Sequence, residues 1–156
     1  MKTHPLRSVL FVCLGNICRS PLAEGVFRSV LAEQGKAESV RIDSAGTNGY
    51  HTGEAPDDRS VSVAEKHGID ISGQRCRQLK PEDFLNFDLI LGMDRANVTA
   101  IELRRPANAT AETGLLSTIA LGENNQIPDP YYGTGVDFER VYLMVLKASR
   151  GLSKRF

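Results

Sequence analysis

The chain has 156 residues, 41% apolar and 24% charged, which suits one domain over residues 1–156 built on a single substantial core. Its 19 Lys and Arg balance its 19 Asp and Glu, so no global field points to nucleic acid or an acidic membrane, and any anion site must be local. Three cysteines (13, 18 and 76) and 3 histidines show neither a disulfide framework nor Cys-x-x-Cys zinc spacing; no metal or cofactor is expected.

In chain order, Val9–Val12 is a short β-branched apolar run, the pattern of a buried strand, and it ends at Cys13. Ser20 suits the N-cap and Pro21 the first position of a helix running to about Glu33, with Gly35 as its stop. A short strand over Val40–Asp43 precedes a polar, Gly-bearing loop from Ala45 to Ala55. A helix over Asp58–Lys66 stops at Gly68. Pro81 to Leu85 forms one short helix, Asp88–Met93 a buried strand, and Arg95–Arg104 a helix capped by Asp94 and Asn97. Leu115–Ile119 is read as the last strand, followed by a long loop to Gly135 and a helix over Val136–Ser149. Alternating strands and helices predict an α/β fold: a doubly wound, four-stranded parallel sheet with helices on both faces. Ligand loops then lie at the carboxyl ends of the strands, where Cys13 stands. No run is long enough to span a membrane and no charged-then-apolar leader opens the chain, so a cytoplasmic protein is expected.

The segment Cys13-Leu14-Gly15-Asn16-Ile17-Cys18-Arg19-Ser20-Pro21 joins a strand end to a helix start. Loop N–H groups converging at a helix N-terminus bind a tetrahedral oxyanion. Arg19 adds a planar fork that matches two phosphate oxygens at once. The same positive field favours a thiolate at Cys13, which then faces the bound phosphorus for in-line attack. The alternative is a packed strand-end cysteine beside a helix that begins Arg-Ser-Pro, but strand, thiol, Gly-bearing loop, Arg and helix start occur here together and in order. Asp129, flanked by Pro128 and Pro130, is either a turn residue or an acid held in a stiffened loop.

These two segments resemble the phosphate-binding loop and the Asp129-Pro-Tyr-Tyr-Gly133 general-acid loop of the low-molecular-weight protein tyrosine phosphatases, and the similarity runs from about Ser8 to Gly151. The resemblance implies hydrolysis of phosphotyrosine-containing proteins through a phosphocysteine on Cys13. Arg19 would bind phosphate, Asp129 would act as general acid and then base, and inorganic phosphate would be the product. It implies a hydrogen-bond network of Asn16, Ser20, Ser44 and His67 that shapes the loop, although His67 also suits a helix C-terminus. Tyr50, Tyr131 and Tyr132 fall where the family places the aromatic rim around an incoming ring. Cys18 would shield Cys13 from over-oxidation through a transient disulfide, or simply pack beneath the loop; Cys76 is read as incidental. Rival readings are an arsenate reductase, which needs two further downstream cysteines, a phosphoarginine phosphatase, opposed by Ile17, and a phosphotyrosine-binding module without turnover.

Overall fold

The protein is described over residues 5–156 by a computed structural model. Four strands, β1 (Ser8–Cys13), β2 (Arg41–Gly46), β3 (Leu89–Gly92) and β4 (Glu112–Leu115), form one sheet in the order β2-β1-β3-β4. Every pairing is parallel. The helices are α1 (Arg19–Glu33), α2 (Asp58–Lys66), α3 (Asp83–Asn86), α4 (Arg95–Leu103), α5 (Leu116–Leu121) and α6 (Gly135–Leu152).

Alternation along the strands divides the core. Val9, Phe11, Leu89 and Leu91 pack with α1, α5 and α6 on one face, while Leu10, Val12 and Ile90 meet Phe84, Phe87 and Ile101 on the other. β1 is buried along its whole length, which is why its sequence is a continuous apolar run. The chain leaves β1 for β2 on one side and returns to β3 on the other. A crevice therefore opens between the carboxyl ends of β1 and β3, at Cys13 and Gly92. Gly35 and Gly68 carry φ of +70° and +78° and end α1 and α2 as expected.

Three expectations are corrected. The strand read at Leu115–Ile119 lies earlier, at Glu112–Leu115, and Leu116–Leu121 is α5. β4 pairs on one side only, with β3, and is half-exposed, so it shows no apolar run; Leu115, Leu116, Ile119 and Ala120 have the spacing of a helical face. β2 continues three residues past Asp43, because the ladder from Ser8 to Cys13 carries Ser44, Ala45 and Gly46 despite their weak strand propensity. Finally, α1 begins at Arg19 with Cys18 as N-cap and no side-chain cap. Ser20 is already helical, and its hydroxyl lies 3.1 Å from Cys13 Sγ.

Candidate active site

Gly46, at the end of β2, brings the neighbouring strand up under the phosphate loop. A Cβ there would lie 2.9 Å from Leu14 O and 3.0 Å from Gly15 C, so only glycine allows the approach. Thr47 and Asn48 then donate backbone N–H groups to Cys13 O (2.9 Å) and Leu14 O (3.0 Å). The N–H groups of Gly15–Cys18 donate to no other described residue, leaving a ring of donors at the start of α1.

Asn16 is the keystone of this loop. Its φ of +57° is the only positive value at a non-glycine among the described residues, and it is a conformation asparagine tolerates. Its Oδ1 accepts from the Arg77 N–H (3.0 Å) and its carbonyl from the Cys76 thiol (2.8 Å). Because the Arg77 N–H can only donate, the amide is oriented with Nδ2 towards the serines. Nδ2 donates to Ser20 Oγ (2.8 Å) and Ser44 Oγ (3.0 Å). Ser44 in turn donates to Glu24 Oε1 (2.7 Å). The Ser20 hydroxyl is left to point at Cys13 Sγ, 3.1 Å away, with Ala45 O a longer alternative at 3.4 Å. The chain of donors thus runs from the Asn16 amide to Ser20, whose hydroxyl is within reach of Cys13 Sγ.

Arg19 is buried to 3% exposure. Its Nη1 donates to Asp94 Oδ2 (2.6 Å) and Ile127 O (2.9 Å), which leaves Nε and Nη2 for an oxyanion. Nη2 stands 3.9 Å from Asp129 Oδ2. Cys13, Arg19 and Asp129 line one pocket of about 310 Å³, walled by Tyr50, Tyr131 and Tyr132. The tyrosines are exposed to 84%, 38% and 95%, so they are rim and not core. The Tyr131 and Tyr132 rings meet edge to face at 4.9 Å. Burial, aided by the Asp57 and Cys13 charges, pushes the Cys18 thiol up to about 12, and burial pushes Cys76 up to about 11. Both remain protonated at neutral pH.

The profile described as "Low molecular weight phosphotyrosine protein phosphatase" matches residues 8–156. The chain belongs to that family. A human low molecular weight phosphotyrosine protein phosphatase is 43% identical over 99% of each chain. A crystal structure of a protein tyrosine phosphatase from Entamoeba histolytica superposes with a TM-score of 0.89 at 35% identity, covering 95% of each chain. A Drosophila arginine phosphatase superposes at 0.85 with 30% identity, over 94% of this chain and 95% of its own.

Within this phosphatase-family fold, the loop residues 13–20, Ser44, Asp129 and the three tyrosines gather as the sequence suggests. His67 does not. Its Nε2 bonds Glu139 at 2.9 Å and its ring stacks on Tyr142 at 3.7 Å, which ties the end of α2 to α6. It is the C-cap of α2, as its position next to Gly68 suggests, and its ring contacts are with α6. The sequence reading missed the residues that complete the site. Glu24 closes the serine chain from inside α1, where burial raises its carboxyl above the usual range against the opposing pull of Ser44 and Arg28. Asp94 caps α4 as expected and also grips Arg19. Cys76, read as incidental, supports the Asn16 carbonyl. Asn48 and His51 line the pocket beside Tyr50, and His51 packs where a Gly15 side chain would sit.

Proposed function

We propose that this chain, acting as one domain over residues 1–156, hydrolyses phosphotyrosine in proteins, and aryl phosphates generally, through a phosphocysteine on Cys13. The observation that carries the reading is the convergence of Cys13, Arg19 and Asp129 in one aromatic-walled pocket. The Cys13 thiolate attacks phosphorus in line, forming the S–P bond as the P–O bond to the phenol breaks, and Asp129 gives its proton to the departing oxygen. The free N–H groups of Gly15–Cys18 and the Nε–Nη2 edge of Arg19 follow the phosphoryl oxygens through the transition state. A water then attacks the phosphocysteine and loses its proton to Asp129. The S–P bond breaks, releasing inorganic phosphate and restoring the thiolate. No cofactor or metal enters this scheme.

A deep nucleophile inside tyrosine walls favours a substrate whose ring holds the phosphate away from its own backbone, as phosphotyrosine does and phosphoserine does not. Cys18 lines the same pocket, so a sulfenic acid formed on Cys13 by a peroxide would condense with the Cys18 thiol, releasing water and storing the nucleophile as a disulfide. We place the protein in the cytoplasm; among the described residues no helix is long and apolar enough to cross a membrane.

Two measurements test the reading. Rapid quench with labelled phosphotyrosine substrate should trap phosphate on Cys13, and Cys13→Ser should bind phosphate without turnover; label on any other residue would sink it. Turnover on phosphotyrosine, phosphoserine and phosphoarginine peptides, with arsenate reduction as a control, should rank phosphotyrosine first. A preference for phosphoarginine would reassign the substrate to the chemistry in the name of the Drosophila relative.

A further inference from the structure

Arg59 stands on the first turn of α2, away from the phosphate loop in sequence, yet it joins both halves of the site. Its Nε and Nη2 form a fork on Asp57, to Oδ1 and Oδ2, both at 3.0 Å. Asp57 is itself anchored to the phosphate loop by its N–H on Ile17 O (2.8 Å). The remaining arm, Nη1, donates to Tyr131 O at 2.9 Å. The guanidinium also lies over the Tyr131 ring at 5.3 Å and the Phe138 ring of α6 at 4.6 Å.

The grip falls where the acid loop needs one. The Tyr131 N–H donates to Asp129 Oδ1 (3.1 Å), so the two ends of Tyr131 are held by the acid on one side and by Arg59 on the other. The Gly133 N–H bonds Pro130 O, which stays inside the loop. Among the described residues, the Arg59–Tyr131 bond is the one hydrogen bond from residues 128–133 to the rest of the chain. The other polar tether is the long Arg19–Asp129 ion pair.

We infer that Arg59 is the positioning residue of the acid step, setting the distance between Asp129 and the leaving-group oxygen by tying Tyr131 to Asp57 and so to the phosphate loop. This rests on the assignment of Asp129 as general acid. Arg59 touches no reacting atom. Its loss lets residues 128–133 drift while Cys13, Asn16 and Arg19 keep their own bonds, so proton delivery suffers and phosphate binding does not.

The test compares wild type, R59A, R59K, D129A and the R59A/D129A double variant on aryl phosphates whose phenols run from about 7 to the tyrosine value of about 10. The readout is kcat/KM, which ends at cleavage of the P–O bond. R59A should lose roughly 10-fold on the most basic phenol, less than the 10²-fold of a full 1 Å misplacement, and little on the most acidic one. Inhibition by inorganic phosphate should be unchanged, and R59A should add nothing in the D129A background. R59K keeps one donor for Tyr131 O and should show the same selective defect in smaller measure, which covers poor folding of R59A. An equal defect across all phenols, or an additive loss in the double variant, would overturn the role of Arg59 while D129A alone still showed leaving-group dependence. A flat profile for D129A itself would remove the acid assignment and the inference with it.

Discussion

Arg19→Lys keeps the charge of the buried cation and changes its shape. The guanidinium has five N–H donors, and the two on Nη1 are committed to Asp94 Oδ2 (2.6 Å) and Ile127 O (2.9 Å). Three remain on the edge that faces the pocket, enough to hold two phosphoryl oxygens in one plane. A lysine has three donors on one atom. If Asp94 and Ile127 O keep theirs, one is left for the phosphoryl group, and at least one charge-assisted bond is lost. Such a bond is worth about 1.5–3 kcal/mol, or roughly 10- to 150-fold. The fork fits the planar equatorial oxygens of the transition state better than a bound tetrahedral ester, so the loss should fall on kcat more than on KM. We expect kcat to drop roughly 10²-fold, the scale of removing one preorganised oxyanion donor.

Steady-state kinetics on an aryl phosphate read the split, and competitive inhibition by inorganic phosphate reads the ground state. Phosphate inhibition should weaken by much less than kcat falls. Thermal denaturation supplies a third reading, because a lysine that turns to the phosphate leaves the Ile127 carbonyl without its donor. An unchanged kcat, or a loss carried wholly by KM, would show that the fork serves binding alone and would refute the reasoning.

Alkylation with iodoacetate at neutral pH should label Cys13 and spare Cys18 and Cys76, whose thiols are pushed up to about 12 and about 11; peptide mapping with comparable label on Cys18 would contradict this. Glu24 binds its proton more tightly folded than unfolded, so its contribution is complete below the unfolded value and is lost as pH rises through the folded one. The Tm of Glu24→Gln should therefore gain on wild type as pH rises above the ordinary glutamate value of about 4.3, and a constant difference would count against a buried charge there. Asp57 runs the other way: its hydrogen bonds from Arg59 hold it below the usual carboxylate range, so Asp57→Asn should lose to wild type at neutral pH and the gap should close as acid protonates Asp57. Gly46→Ala places a Cβ 2.9 Å from Leu14 O, and since both neighbours are backbone the loop must shift; kcat/KM should fall about 10-fold or more, with about 1–3 kcal/mol of stability lost, and wild-type kinetics would show the loop is looser than its contacts imply.

What the sequence showed and what it hid divide along a physical line. Strands buried on both faces, such as β1, announce themselves as apolar runs, and helices ending at Gly35 or Gly68 announce their stops. The half-exposed strand β4 carries no such pattern, and the apolar residues that resembled a strand belong to α5. The contiguous loop 13–20 was legible because its chemistry is local: thiol, turn, guanidinium and helix start within a few residues. The partners that orient it were not. Glu24 reads as one polar residue on α1, Cys76 as an isolated thiol and Arg59 as a surface charge; each matters only through contacts that tertiary folding creates. His67 erred in the opposite direction, since a resemblance in sequence placed it in a network, whereas its ring bonds Glu139 and stacks on Tyr142.

The two halves of the site are held very unequally, and the chemistry gives a reason. Asn16 alone joins the phosphate loop to Ser20, Ser44, Cys76 and Arg77, and Gly46 brings backbone directly beneath it. Oxyanion donors act by being already aimed when charge develops, so rigidity there lowers the barrier directly. Among the described residues, the polar ties of residues 128–133 to the rest of the chain are one hydrogen bond and one long ion pair. An acid that must meet the oxygen of a ring passing between Tyr50, Tyr131 and Tyr132 needs its height fixed but its walls free to admit the ring. The hydrogen bond at the Tyr131 carbonyl suits both: it holds the backbone two residues from Asp129 and leaves the Tyr132 ring exposed. In the proposed mechanism the rigid half would then supply attack and charge stabilisation, and the lightly tethered half the proton and the choice of substrate.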